Sequence, residues 1–159
     1  MNMSILKKLF GIKPNIPEAA DITSIPQSWS VLEGKNNGMP MIVRKNVGCD
    51  KIAGHKAYTT NCGIAFNLLA PTADGLPNFE LEPSLNKLED DIFETLEFDF
   101  NSVIPIVITT SGFREFVIYT KDINKFEEGL ENIKSKYPRY ELTSFNKPDP
   151  GWKTYKSFK

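Results

Sequence analysis

One stretch of the chain, residues 103–137, constrains the fold more than any other. Its first eight residues are β-branched at every position except Pro105, which is the composition of a buried strand. Ser111-Gly112 then supplies a tight turn, and the next segment alternates apolar and polar side chains as far as Thr120. The stretch therefore predicts a hairpin at the centre of a sheet.

A helix is predicted directly after this hairpin. Four apolar residues recur at spacings of four, three and four, which is the period of one helix face: Phe126, Leu130, Ile133 and Tyr137. Asn124 is the predicted N-cap, and Glu127 lies where a capping box requires an acidic side chain. We expect this helix to bury its apolar face on the sheet.

Four further elements follow from the same patterns. A hairpin is predicted over residues 29–46, with Asn37-Gly38 as its turn and Pro40 at a strand start. A strand is predicted over residues 58–69, and another over residues 140–145. An acidic helix between them has one apolar face, formed by Leu85, Leu88, Ile92, Leu96 and Phe100.

The order of these elements predicts an α+β fold. From residue 58 onward they follow the βαββαβ order of a ferredoxin-like sandwich, with an antiparallel sheet and both helices on one face. The N-terminal hairpin is expected to extend that sheet. Residues 26–159 are predicted to form this single domain, and residues 1–25 an N-terminal amphipathic arm and linker.

Composition limits the classes of partner. The chain has 159 residues and a formal net charge of -1, whereas proteins that bind nucleic acid usually carry a basic excess. Nucleic acid is therefore not favoured as a partner. No apolar run approaches the roughly 18–20 residues needed to cross a membrane. Cys49 and Cys62, without a signal peptide, predict reduced thiols and a cytoplasmic protein.

The arm itself has a pattern that suits a membrane surface. Residues 1–14 combine one apolar side with three lysines; the apolar residues are Ile5, Leu6, Leu9 and Phe10. Burying these four side chains gains about as much free energy as ordering the segment costs. Contact with an anionic membrane is therefore predicted to be marginal. The alternative is an arm that docks on its own domain or on a neighbouring molecule.

Three residues near the long connection 47–57 have metal-binding or nucleophilic side chains. Cys49, His55 and Cys62 are neither closely spaced nor complete as a structural zinc site, which normally has four ligands. No metal site is predicted. His55 is also a candidate base for either cysteine, and the alternative is an exposed loop histidine.

Charged and aromatic side chains supply the remaining candidates. An arginine fork can hold a carboxylate or a phosphate, and aromatic side chains can line a groove. The alternatives are an internal ion pair for the arginines and closure of the core for the aromatics. The predicted ligand-binding residues are Arg44, His55, Arg114, Trp152 and Tyr155.

The acidic helix carries its own alternatives. Its carboxylates lie at helical spacings: Glu89, Asp90, Asp91, Glu94, Glu97 and Asp99. They are typical of a solvated face, and a concentrated negative face can also steer a basic protein partner.

Four groups of residues carry a family resemblance: Trp29-Ser30-Val31-Leu32; Gly38-Met39-Pro40 leading into Arg44-Lys45-Asn46; Gly112-Phe113-Arg114-Glu115 with Tyr119; and Asp149-Pro150-Gly151-Trp152-Lys153-Thr154-Tyr155. Over residues 26–157 the chain thereby resembles the bacterial domain-of-unknown-function family 695. The closing Asp-Pro-x-Trp-x-x-Tyr pattern is the most specific part. The family implies no reaction, ligand or catalytic residue. The order of elements is also distantly similar to that of the regulator of ribonuclease activity B, a cytoplasmic protein that binds and inhibits an endoribonuclease.

The functional prediction follows from the absence of motifs as much as from their presence. There is no glycine-rich phosphate loop, no G-x-S-x-G and no H-E-x-x-H. We therefore predict a bacterial, cytoplasmic, non-enzymatic domain that binds another protein or regulates it, without a cofactor. The alternative is an enzyme or a small-ligand-binding protein whose site lies near the 47–57 connection and the C-terminal tail.

Overall fold

The computed structural model describes residues 22–159, which are built around an antiparallel sheet of six strands. The strands are β1 (Trp29–Asn36), β2 (Met39–Asn46), β3 (Thr60–Asn67), β4 (Ser102–Thr110), β5 (Phe113–Thr120) and β6 (Thr143–Pro148). Their order across the sheet is β1-β2-β4-β5-β3-β6. β4 lies in the interior of the sheet and is buried along its whole length, as its run of β-branched residues predicts.

Helices cover both faces of this sheet. α1 (Glu82–Leu96) and α2 (Ile123–Lys136) lie on one face, where their apolar stripes form a core with side chains of β3 and β5. A short third helix, α3 (Lys153–Ser157), lies on the opposite face. There it forms a second core with β4, β5 and the connection between β2 and β3. The predicted α+β class is confirmed.

The two predicted hairpin turns are confirmed. Asn37 and Gly38 have φ angles of 51° and 82°, and Ser111 and Gly112 have 51° and 80°. Two successive positive φ angles are typical of a type I′ turn, whose twist matches that of the flanking strands. The Gly112 amide also donates to the Gly75 carbonyl at 2.9 Å. The loop before α1 and the central turn therefore lie at the same end of the sheet.

Four predicted boundaries are wrong. The strand predicted over residues 58–69 covers only Thr60–Asn67. The N-cap of α2 is Asp122, whose side chain accepts hydrogen bonds from the Asn124 and Lys125 amides. α1 ends at Leu96, and Phe100 lies in a separate 3₁₀ turn because the backbone there turns through positive φ angles. The last strand covers Thr143–Pro148 rather than 140–145. The two apolar residues before it, Tyr140 and Leu142, pack instead into the core that α1 and α2 form with the sheet.

The predicted amphipathic arm, residues 1–14, lies outside the described residues. Among residues 22–159, every helix is too short or too polar to cross a membrane.

Candidate functional site

The C-terminal Asp-Pro-Gly-Trp segment is a capping structure for α3. The Asp149 carboxylate accepts hydrogen bonds from the Lys153 amide at 2.8 Å and the Thr154 amide at 3.0 Å. It also accepts a hydrogen bond from the Tyr119 hydroxyl, with 2.8 Å between the two oxygen atoms. Burial alone would raise the pKa of Asp149, but these hydrogen bonds outweigh it and hold the pKa below its usual value. Asp149 therefore joins the start of α3 to β5.

Trp152 is buried beneath this cap. Its ring stacks on Tyr119 with a centroid distance of 4.0 Å and an interplanar angle of 5°, and its indole Nε1 donates to the Tyr58 carbonyl at 2.9 Å. The side chain is 0% exposed, and its φ of 53° lies in the left-handed region. A bulky residue holds that conformation only where surrounding contacts compensate for the strain. The stack and the indole hydrogen bond are such contacts.

Tyr155 ties α3 to the connection after β2. Its hydroxyl lies 2.7 Å from Asp50 Oδ1 and 3.0 Å from the Asn46 carbonyl oxygen, and both are acceptors for its proton. Lys45 Nζ lies 4.4 Å from the centre of its ring. Burial, followed by the bond to Asp50, raises the pKa of Tyr155 above its usual value. The phenol is therefore neutral at physiological pH.

His55 is buried, so the expectation of an exposed loop histidine is wrong. Its Nδ1 accepts a hydrogen bond from the Ala57 amide at 3.0 Å, and its ring packs edge-on against Tyr58. The turn that follows β2 folds back onto the second core and carries the histidine inward.

The two cysteines lie in different cores and are both free. Burial, with Glu97 and Asp50 nearby, raises the pKa of Cys49 to about 12. Burial also raises the pKa of Cys62. Both thiols are thus protonated at neutral pH, which is unfavourable for a nucleophile. Among residues 22–159 no three side chains of the metal-ligating types come together.

Arg44 and Arg114 lie close together on the face of the sheet that α1 and α2 cover. Both bind one carboxylate of α1: Glu89 lies 2.6 Å from Arg44 and 2.7 Å from Arg114. Arg114 also donates through Nε to Thr109 at 2.9 Å. Burial lowers the pKa of Arg114, whereas Glu89 opposes that shift. In this arrangement both guanidinium groups are engaged by an internal carboxylate.

The five predicted ligand-binding residues therefore fall into two groups with the sheet between them. Arg44 and Arg114 bind α1 on one face, and His55, Trp152 and Tyr155 pack in the second core on the other. The structure does not bring the two groups together.

The sequence interpretation missed a groove between the C-terminal end of α1 and the start of α2. Its volume is about 450 Å³. The Phe98 side chain on its rim is 69% exposed. Charged side chains of both helices and of the 3₁₀ turn after α1 line it: Glu94, Asp99, Lys125 and Glu128. At its floor the helices approach closely, since a Cβ atom on Gly129 would lie 3.1 Å from Leu96. One signal was available: Phe98 is out of register with the apolar stripe of α1.

Glu97 lies beside this groove and binds the backbone of β4. Its Oε2 accepts the Ile104 amide at 3.0 Å, at a point where the β4–β5 register shifts around Pro105. Burial raises the pKa of Glu97 to about 7, and the bond from Ile104 partly opposes the rise. The side chain is therefore a proton-binding group near neutral pH.

This raised pKa predicts a pH dependence of stability. The folded protein retains the Glu97 proton between pH 4.5 and about 7, where the unfolded chain releases it. The free energy of unfolding should therefore fall as the pH rises through that range, by about 3 kcal/mol from this group. Urea unfolding across the range measures it, and Glu97→Gln, which keeps an acceptor for Ile104, should remove that part of the fall. Identical pH profiles for the two proteins would contradict the assignment.

Comparison with known proteins gives one match. The model of the family described as Family of unknown function (DUF695) matches residues 27–158. No curated protein and no solved structure matches the chain significantly. The match includes the hairpin of β1 and β2, both long helices and the Asp149–Tyr155 cap. By this match, which covers most of its length, the chain belongs to the DUF695 family.

Proposed function

We propose that this domain is a non-enzymatic, cytoplasmic protein-binding or regulatory module whose contact surface is the groove between α1 and α2. The observation that carries the proposal is the exposed Phe98 ring at the rim of a groove of about 450 Å³. An aromatic side chain beside a concave surface can anchor a partner, because a few large side chains carry most of the binding energy of an interface. An aromatic side chain of the partner, or the partner's backbone, would cover this ring.

The charge around the groove favours a basic partner. Between Glu82 and Asp99 the chain carries seven carboxylates and one lysine; two of the carboxylates are engaged within the fold, one by two arginines and one by a backbone amide of β4. Two of the others, Glu94 and Asp99, line the groove together with Glu128 of α2, and Lys125 is the one lysine in that lining. Such a surface accelerates encounter with a positively charged protein and penalises an acidic one.

The alternative function, an enzyme or ligand-binding site near the 47–57 connection and the tail, has less support. His55, Trp152 and Tyr155 are buried in the second core. A ligand there would have to displace packed aromatic side chains rather than enter a formed cavity.

The finer fold assignment belongs to this proposal as well. We assign the domain to the ferredoxin-like class because the order β6-β3-β5-β4, with α1 between β3 and β4 and α2 between β5 and β6, follows that topology. The hairpin of β1 and β2 extends the sheet beyond β4. We also propose residues 26–159 as the domain and residues 1–25 as its arm and linker. The same order of elements supports the distant similarity to the regulator of ribonuclease activity B, and fold alone does not fix function.

Affinity capture with matched baits tests the binding surface. The wild-type protein, Phe98→Ala and Phe79→Ala are immobilised and exposed to lysate of the source organism. Phe79 is the matched control because it is 83% exposed and lies before the other end of α1, outside the groove. We expect a basic protein that wild type and Phe79→Ala retain and that Phe98→Ala loses at least tenfold. Equal recovery by all three baits would contradict the proposed surface.

A further inference from the structure

β1 lies at one edge of the sheet, and among the residues that the structure describes only β2 pairs with it. Just before this strand, the Val47 amide donates to the Ser28 carbonyl at 2.7 Å. Hydrogen-bonded pairs alternate along an antiparallel ladder, so the even-numbered residues of β1 bond to β2. The amide and carbonyl groups of Val31, Glu33 and Lys35 therefore point away from the sheet.

The two edge strands differ in how they resist further pairing. β6, at the opposite edge, ends with Lys147 and Pro148, which are typical of a protected edge. β1 contains no proline, and two of its apolar side chains are exposed, Val31 by 61% and Trp29 by 38%. An edge of this kind is a template for another strand.

The sequence of β1 is complementary to a second copy of itself. A twofold axis at Leu32 would pair residues 29–35 of the two copies antiparallel, through the backbone groups that point away from each sheet. An axis at Glu33 would instead set two like charges opposite each other. An axis at Gly34 would shorten the ladder, because the turn at Asn37 interrupts the strand. These comparisons favour the axis at Leu32.

Lys35 has an attractive partner in this register. It is exposed, and within the described part of the chain it forms no ion pair. The alternation of a strand places it on the same face of the sheet as Trp29, which contacts Phe93 of α1. Each Lys35 would lie opposite Trp29 of the second copy, and an ammonium group is attracted to the face of an indole ring.

Glu33 gains a partner as well. Its carboxylate is exposed and forms no ion pair within residues 22–159. In the same register it would lie opposite Val31 of the second copy, next to Arg44, which pairs with Val31 in the hairpin. Arg44 donates one nitrogen to Glu89, and its other nitrogens have no partner among the described residues. An arginine fork can bind a second carboxylate, so the two copies are complementary in charge.

We propose that the domain forms a homodimer in which the two β1 strands pair antiparallel about a twofold axis at Leu32, so that one sheet continues through both copies. A contact of one strand from each copy is small, and we expect a dissociation constant in the micromolar range. The dimer goes beyond the proposed function, since no residue of β1 lines the α1–α2 groove.

Sedimentation equilibrium of the full-length chain tests this proposal. We expect the average mass to rise from 18.0 kDa toward twice that value as the protein concentration increases through the micromolar range. Glu33→Pro removes an amide that points away from the sheet and keeps the bonds between β1 and β2. It should weaken dimerisation about tenfold or more.

The matched control is the same change on the other edge strand. The Asp149 amide donates to the Thr59 carbonyl at 2.8 Å, so by the same alternation the Asn146 amide points away from the sheet. Asn146→Pro should dimerise like the wild type. Lys35→Glu leaves the backbone unchanged and replaces the cation opposite the indole ring with a carboxylate, and it should also weaken dimerisation about tenfold.

A disulfide tests the register. Leu32→Cys sets two thiols opposite each other at the axis, where the Cα atoms of a pair without hydrogen bonds lie about 4.5 Å apart, and a mild oxidant should give a covalent dimer. Gly34→Cys, on the same face, should give little, and the native Cys49 and Cys62 are buried.

Three results would each overturn the proposal: a wild type that stays at 18.0 kDa, equal dimerisation by Glu33→Pro and Asn146→Pro, or equal crosslinking by Leu32→Cys and Gly34→Cys. The outcome is separate from that of the lysate capture, since Phe98→Ala should dimerise like the wild type.

Discussion

Trp152→Ala is expected to lower the free energy of unfolding by about 3–5 kcal/mol. The change removes a fully buried indole, its parallel stack on Tyr119 and its hydrogen bond to the Tyr58 carbonyl. The left-handed backbone at position 152 then lacks the contacts that hold it. Because a domain is typically stable by only 5–15 kcal/mol, this one change should remove a large part of the total. Urea or guanidinium unfolding measures the loss.

Trp29→Ala is the control for that experiment. Trp29 lies on the edge strand β1, is partly exposed, and contacts Phe93 edge-to-face. Its loss should cost about 1 kcal/mol. If the two tryptophan variants were equally stable, the packing of Trp152 in the second core would not make the large contribution to stability that we expect.

Glu89→Gln should destabilise the domain by a similar amount, about 3–5 kcal/mol. The variant leaves the Arg114 guanidinium, which is 9% exposed, without its carboxylate. An unpaired buried charge is costly because water cannot replace the lost partner. Arg44 also loses its partner, but its side chain is more exposed and can be hydrated. Chemical unfolding at neutral pH measures the effect.

A double variant separates the unpaired charge from lost packing. Glu89→Met/Arg114→Met replaces both members of the buried pair with apolar side chains, and this should recover most of the stability lost in Glu89→Gln. Arg44→Met alone should cost less than about 1 kcal/mol. If the double variant were less stable than Glu89→Gln, packing rather than charge would explain the loss.

The sheet and its turns could be predicted because local patterns and the fold agree there. The β-branched run of β4 is buried on both faces, and Asn37-Gly38 occupies two positive-φ positions. The ends of the helices were predicted less accurately, because they depend on where the backbone leaves the helical conformation. Helical periodicity alone included Phe100 in α1, although the chain turns away at Asp99. Periodicity indicates which face is apolar but not where the backbone leaves the helix.

The candidate site was harder to predict. The type of a residue does not show on which face of the sheet its side chain lies or which residue pairs with its charge. Arg114 and Trp152 were both plausible ligand-binding residues by type, yet one binds Glu89 and the other stacks in the opposite core. The groove depends on the close approach of two helices at Gly129, a contact between segments distant in sequence. The one sign of the groove in the sequence is Phe98, which does not continue the apolar spacing of α1.

Site-specific photo-crosslinking tests the central claim, that the α1–α2 groove binds another protein, most directly. A photoreactive amino acid is placed at position 98 or, as a control, at position 79, and the cells of the source organism are irradiated. We expect a discrete adduct with a basic protein from position 98 and none from position 79. Equal labelling from both positions, or no adduct from position 98, would contradict the claim.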